Sequence, residues 1–223
     1  PQLDKIKLAP MTAVTIKAGD GTAIPAFLTL PPDGRKTGLP AIIMPHGGPS
    51  SRDEWGFDWL SQYFAQLGYA VLQPNYRGSA GYGQDYYVKN GFQSWPTAIG
   101  DINDSARWLA AQGIADPKRT AIFGWSYGGY AALQAAITDP ALYKAVVAIA
   151  PVTDLQALKD YARRFTSYQR VVEFVGDGPL TISGSPARNA AAMQAPVLMF
   201  HGDQDINVDI GQSKLMDSAL ASA

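Results

Sequence analysis

"FGWSYGGYAAL", residues 123 to 133, places a serine between two glycines, as Gly124-x-Ser126-x-Gly128. The apolar run "TAIFGW" reads as a strand and "YGGYAALQAAI" as a helix. A serine at a strand-to-helix turn is the context of a nucleophile elbow. The flanking glycines allow a sharp, strained turn, because a side chain there would collide with the neighbouring strand or helix. The turn lifts the hydroxyl out at the carboxyl edge of a sheet, over a helix N-terminus that favours developing negative charge. Ser126 is the candidate nucleophile, and the backbone N–H of Tyr127 a candidate oxyanion donor. A bare GxSxG arises often by chance as a serine in a glycine-rich cap, so the assignment depends on the pattern around it.

That pattern is α/β. "TAVTIKAGDGTAIPAFLTLPPDG" predicts a β-hairpin turning at Asp20-Gly21. "PAIIMPHGG", "AVLQP", "KAVVAIAPV" and "APVLMFHGD" predict further strands. "FDWLSQYFAQLGY" predicts a helix on the spacing of Trp59, Leu60, Phe64 and Leu67, stopped by Gly68. "IGDINDSARWLAAQG" predicts another, with Ile102, Ala106 and Leu109 on one face, and "DIGQSKLMDSALASA" a last one. "NYRGSAGYGQDYYVKNGFQSWP" reads as a long polar-aromatic loop, and residues 154 to 195 as mixed. Continuous apolar strands joined by helical crossovers imply a mostly parallel sheet with helices on both faces.

The chain has 223 residues, 47% of them hydrophobic, enough for one domain with a substantial core. Its 18 basic and 19 acidic residues nearly cancel without a basic stripe, which argues against nucleic acid as a partner. There is no cysteine, so disulfide and thiol chemistry are excluded, although the compartment is not fixed by this; the cytoplasm is slightly favoured over the periplasm. The longest apolar run, "AVVAIAPV", is far short of the roughly 18 residues a membrane span needs. The chain opens on Pro1, which suggests a piece of a longer protein. The glycines of "GSAGYG", 78 to 83, are in the wrong order for a dinucleotide fingerprint, and no cofactor is expected.

"PHGGPS", 45 to 50, follows the first parallel strand, and Gly48 is the candidate for the second oxyanion N–H. The acid of a triad should follow a strand downstream of the serine. "LMFHGDQDINV" offers Asp203 and Asp205, of which Asp205 lies deeper in the loop, and Asp154 is the runner-up. His201, Asp203 and Asp205 do not read as a metal site, because alternate residues leaving a strand point apart and no third ligand region exists. The base is missing. His46 precedes the nucleophile strand, whereas this arrangement runs serine, acid, histidine, and His201 reads as an anchor of the strand end. After the acid, a helix, a connection and a strand need about 25 to 35 residues. Only 18 follow Asp205. The catalytic histidine is therefore expected beyond Ala223, together with the last strand and helix.

The motifs GWSYGGY, HGGP, NYRGS-GYG and HGD-x-D-x-x-V, in this order, resemble the catalytic domain of the prolyl oligopeptidase family of serine peptidases. The nearest branch is that of the acylaminoacyl-peptidases and dipeptidyl-aminopeptidases, and the match runs from about Thr12 to Leu220. The resemblance implies an α/β-hydrolase fold over 1–223, Ser126 as nucleophile, Asp205 as acid, and Tyr127 and Gly48 as oxyanion hole. It further implies that Asn207 contacts the substrate backbone and that Leu155 and Leu158 line the specificity pocket. Members carry an N-terminal β-propeller, which this chain lacks and its parent is expected to have. The expected substrate is a short peptide, cleaved through an acyl-enzyme, with any homo-oligomer formed through the parent protein. The chain by itself is expected to be inert. A carboxylesterase on the same fold and a non-catalytic binding domain are the rival readings.

Overall fold

The computed structural model describes residues 6–89 and 91–223. The chain enters its sheet through a hairpin, in which β1 (Met11–Lys17) and β2 (Ala23–Thr29) pair antiparallel. The turn closes where Asp20 Oδ1 accepts the Thr22 N–H at 3.0 Å and Gly21 takes φ +89°. β2 pairs antiparallel with β4 (Ala70–Pro74). From there every pairing is parallel: β4 with β3 (Leu39–Ile43), β3 with β5 (Ala115–Trp125), β5 with β6 (Val146–Ile149), and β6 with β7 (Val197–Phe200). The order is β1-β2-β4-β3-β5-β6-β7, a mostly parallel seven-stranded sheet of the α/β-hydrolase type.

The central strands are apolar throughout because both of their faces are covered. On one face α1 (Trp59–Gln66) lays Leu60 and Phe64 against Ile42, Met44, Val71 and Phe123. On the other, α3 (Trp95–Ala111) and α4 (Tyr127–Thr138) close over the main core through Ile99, Ile102, Leu109, Tyr130 and Leu133. The region after β6 holds three short helices, α5 (Leu155–Ala162), α6 (Tyr168–Val175) and α7 (Pro179–Ser183), then a 3₁₀ segment at Pro186–Ala192. α8 (Gly211–Ser222) packs on that segment. Among the described residues, no helix is long and apolar enough to cross a membrane.

Three readings of the sequence need correction. The sequence predicts α1 on the helical spacing of Trp59, Leu60, Phe64 and Leu67. Trp59 and Leu67 instead point outward, and Ser61, Gln62 and Ala65 are the buried positions. They are tolerated inside because Ser61 Oγ donates to Gln73 Oε1 and Gln62 bonds the backbone of Ala9 in both directions. The loop after β4 is not irregular throughout. It contains α2 (Gln84–Tyr87) and a 3₁₀ turn at Phe92–Ser94, and α3 starts at Trp95, inside the stretch read as loop, with Pro96 in its first turn. Asn90, within that stretch, lies outside the described residues, as do 1–5. β6 is also shorter than "KAVVAIAPV" suggested, ending at Ile149 because Ala150 takes φ +44°.

One buried ion pair holds the loop after β4 in place. The Arg77 guanidinium donates to both carboxylate oxygens of Asp101 on α3, and its Nη1 reaches Asp20 in the hairpin turn. Asp101 is fully buried, and the pairing raises the Arg77 pKa so that the cation is kept. Replacing one partner of such a pair strands the other charge, at a cost of about 3 to 5 kcal/mol. Arg77→Met is accordingly expected to lower stability by about 3 kcal/mol, the lower end because the Arg77 N–H still reaches Asp101. Urea unfolding of the two proteins measures this, and equal midpoints would show that the pair is dispensable.

Candidate active site

At the carboxyl end of β5 the chain turns into α4 with Ser126 at φ 58°, ψ −120°. This is a conformation that non-glycine residues rarely adopt, and such strain gathers at functional positions. Three backbones meet there with no room for side chains. A Cβ on Gly124 would lie 2.0 Å from the Gly128 carbonyl oxygen, one on Gly128 2.3 Å from that of Pro45, and one on Gly47 2.8 Å from that of Trp125. The glycines therefore let the elbow and the loop after β3 touch main chain to main chain. Gly48, at φ +44°, follows directly in that loop. The Ser126 hydroxyl makes no hydrogen bond among the described residues, and its own N–H is spent on the Ile149 carbonyl.

A cavity of about 370 Å³ opens on the serine. Gly48, Ser126, Tyr127, Leu158 and Asn207, five of the residues named from the sequence, line it together. Phe92, Val152, Val171 and Phe174 complete an apolar wall that the sequence reading missed. Phe92 and Phe174 meet edge to face at 5.4 Å. The signal for α6 was present in "YQRVVEFV", where Val171, Phe174 and Val175 recur at helical spacing. Leu155 lies elsewhere: it is 1% exposed in the core and does not line the cavity, because it is the first residue of α5 and points beneath the helix that carries Leu158.

Asp205 lies in the loop after β7. Its Oδ1 accepts the N–H groups of Asn207 at 2.8 Å and Val208 at 3.0 Å, while Oδ2 makes no hydrogen bond among the described residues and lies 3.7 Å from His201 Nε2. The Val208 N–H, against some desolvation and with help from Asn207 and His201, holds this carboxyl below the usual carboxylate range. The two other acids are placed differently. Asp203 is exposed. Asp154 caps α5 through the N–H groups of Gln156 and Ala157 and is paired with Arg188 at 2.6 Å. Burial pushes its carboxyl up, but Arg188 and those N–H groups outweigh it and keep it ionised.

Both histidines are occupied in holding loops. His46 stacks on Tyr76 with centroids 4.4 Å apart, and its Nε2 is 2.8 Å from Ser79 Oγ. Ser79 Oγ donates to the Tyr76 carbonyl, and His46 Nδ1 lies 3.0 Å from the Gly47 carbonyl. His201 bonds Ser213 Oγ at 2.7 Å and the Val208 carbonyl at 2.9 Å, which fixes the acid loop against α8. Among the described residues no group of three His, Asp or Glu could hold a metal ion.

A serine at a strand-to-helix elbow of a mostly parallel sheet, with an apolar cavity opening on it, is the arrangement of the α/β-hydrolase fold. The comparisons narrow the class. The profile of the prolyl oligopeptidase family matches residues 55–223, and the chain belongs to that family. It is 30% identical over 237 residues to dipeptidyl aminopeptidase BIII of Pseudoxanthomonas mexicana, covering 99% of this chain and 34% of that protein. Among solved structures, a puromycin-hydrolyzing peptidase of Mycobacterium tuberculosis superposes with a TM-score of 0.86 at 31% identity, over 96% of this chain and 34% of that one. An acylaminoacyl peptidase in complex with Z-Gly-Gly-Phe-chloromethyl ketone gives 0.87 at 25% identity, over 99% and 36%. The chain thus spans about a third of the length of these relatives.

Two partly buried groups near the site titrate with opposite sign. Burial pushes His46 down to about 4. Burial, then the neighbouring Asp58, pushes Asp53 up to about 7; its Oδ2 is buried without a partner among the described residues. Between pH 4 and 6.5 the unfolded chain takes up a proton at His46 that the fold refuses, so this group's contribution grows as pH rises. Over pH 4 to 7 the fold holds a proton on Asp53 that the unfolded chain releases, so that contribution shrinks as pH rises. The two oppose each other in the native protein. Asp53→Asn should therefore make stability climb more steeply from pH 4 to 6.5, by up to about 1.4 kcal/mol per unit. An unchanged slope in thermal melts across this range would mean that Asp53 is ionised in the folded protein.

Proposed function

We propose that this chain is most of the catalytic domain of a serine peptidase that cleaves short peptides through an acyl-enzyme on Ser126. The observation that carries the reading is the strained serine at the β5–α4 turn, facing an apolar cavity. Ser126 Oγ attacks the scissile carbonyl and gives its proton to a histidine. The N–H groups of Tyr127 and Gly48 hold the resulting oxyanion. Collapse of the tetrahedral intermediate expels the amine, which takes the proton from the histidine, and water then releases the acyl group by the same route. Asp205, through Oδ2, orients the histidine and stabilises its charged form.

That histidine is assigned to residues outside this chain, since His46 and His201 are both engaged elsewhere. β7 is the edge of the sheet and pairs only with β6 among the described residues, which leaves a side free for a further strand. Leu198 and Phe200 on β7 are each 53% exposed, in register through β6 with the face that carries Trp125. An added strand and helix would cover them. The chain spans about a third of the length of its relatives, in keeping with a longer parent protein, in which the family resemblance implies a β-propeller. The uncharged cavity suits an apolar residue on the acyl side of the bond, in keeping with the phenylalanine ligand on the related acylaminoacyl peptidase. The chain alone, without a base, is inert in this reading.

In the full-length gene product, Ser126→Ala should abolish labelling by a fluorophosphonate probe; a labelled variant would place the nucleophile elsewhere. Asp205→Asn should lower kcat by about 10⁴ on a peptide p-nitroanilide, as in other triads. Asp154→Asn should instead lower thermal stability and leave kcat within a few-fold, because that side chain caps α5 and pairs with Arg188. The reverse pattern would move the acid to the end of β6.

A further inference from the structure

The loop after β3 carries Gly48, and between Ile43 and Trp59 it contains neither helix nor strand. Glycine has no side chain to anchor it, so the place of its N–H is set by what holds the chain on either side. That N–H makes no hydrogen bond among the described residues and is free to donate. Two consecutive residues after β4 grip the loop before and after it. Tyr76 holds the incoming limb: its hydroxyl donates to the His46 carbonyl at 2.7 Å, and its ring stacks on the imidazole. Asn75 holds the outgoing limb: its Oδ1 accepts the Asp53 N–H at 2.7 Å, and its Nδ2 donates to the Asp53 carbonyl at 3.0 Å.

Both residues are fully buried and are themselves fixed. The Asn75 N–H donates to the Pro25 carbonyl of β2 at 2.8 Å, and its carbonyl accepts from the Tyr86 hydroxyl. The Tyr76 carbonyl accepts both the N–H and the hydroxyl of Ser79. Burial, then the neighbouring Tyr127 and Asp53, pushes the Tyr76 hydroxyl up, so that it keeps its proton and remains a donor. Tyr76 also stacks with Tyr127, with centroids 6.1 Å apart and 23° between the planes. It therefore touches the loop that carries one candidate oxyanion donor and the residue that carries the other. Neither Asn75 nor Tyr76 lines the cavity at the serine.

We propose that Asn75 and Tyr76 are positioning residues: a two-armed clamp that sets the Gly48 N–H against the Tyr127 N–H and so governs the rate of bond-making at Ser126 from outside the substrate site. This rests on Gly48 and Tyr127 as the oxyanion donors. Two donors act together only when both lie within hydrogen-bond reach of one oxygen. Losing a donor outright costs about 10²- to 10³-fold in kcat, and moving a group by about 1 Å can cost about 10²-fold.

The test is the second-order rate at which a fluorophosphonate probe labels Ser126 in the full-length gene product, with kcat and KM on a peptide p-nitroanilide beside it. Labelling builds negative charge on an oxygen in the same hole and needs no peptide. Tyr76→Phe deletes one hydroxyl and keeps the ring, and Asn75→Ala deletes both bonds to Asp53. Each should slow labelling about tenfold or more, and lower kcat by a similar factor with KM within about threefold. Tyr143→Phe is the control, because it deletes a buried hydroxyl that donates to Asn103 Oδ1 at 2.9 Å in the core. It should cost thermal stability of the same order as Tyr76→Phe and leave the labelling rate within about twofold. A rate within about twofold of the unsubstituted protein in Tyr76→Phe or in a folded Asn75→Ala, or an equal fall in Tyr143→Phe, would overturn the proposal. Where Asn75→Ala does not fold, Tyr76→Phe decides alone. Normal labelling without peptide cleavage removes the peptidase reading and leaves the labelling rates to decide the clamp, whereas an unsubstituted protein that takes no label overturns both.

Discussion

The architecture depends on a contact that contains no side chain. The elbow and the loop after β3 press backbone on backbone, with Gly124, Gly128 and Gly47 at the three points where a methyl group would overlap a carbonyl oxygen. That approach is possible because β3 and β5 are neighbours in the sheet, in register at Ile43 and Ile122. It sets where the hydroxyl of Ser126 and the amides of Tyr127 and Gly48 stand relative to each other. Dispersion and apolar burial in the core below supply the energy that keeps Ser126 in its strained conformation.

Around that contact, polar groups are spent on holding loops. His46 is a wedge between Tyr76 and Ser79. Asn75 takes the N–H and the carbonyl of Asp53 and so ties the loop after β3 to the one after β4. Gln212 on α8 reaches the N–H groups of Thr153 and Asp154 at the start of α5. Lys159, buried on α5, bonds the Gly176 carbonyl and Asp177 and draws the end of α6 inward. The aromatic wall of the cavity is thereby fixed by two helices that have little sheet beneath them.

What could be read from the sequence followed from how local each signal was. The elbow needs only a strand, three small residues and a helix, all within 123–133, and the glycine clearances match that reading. The parallel strands were legible because burial on both faces leaves continuous apolar runs. α1 was misjudged because Trp59, Tyr63 and Leu67 are large and apolar yet exposed, while Ser61 and Gln62 are buried by pairing with residues distant in sequence. No window of the chain contains both halves of those pairs. The cavity wall was illegible for a related reason: Phe92 and Phe174 meet across 82 residues, where Gly91 at φ +83° lets its backbone approach Phe174. Leu155 and Leu158 are indistinguishable in a motif, and only the orientation of α5 separates core from lining.

The uncharged lining of the cavity has a consequence for selectivity. A pocket that recognises by fit alone gains about 1 to 3 kcal/mol per methylene, or roughly 10- to 200-fold. In the proposed peptidase, side chains smaller than the best one would enter and be processed more slowly, while desolvation would keep charged ones out. A hydrolase built on such a pocket grades its substrates along a continuum of size. Sharp exclusion of one peptide from another must then come from whatever controls entry to the cleft, because the pocket itself is a ruler with few marks.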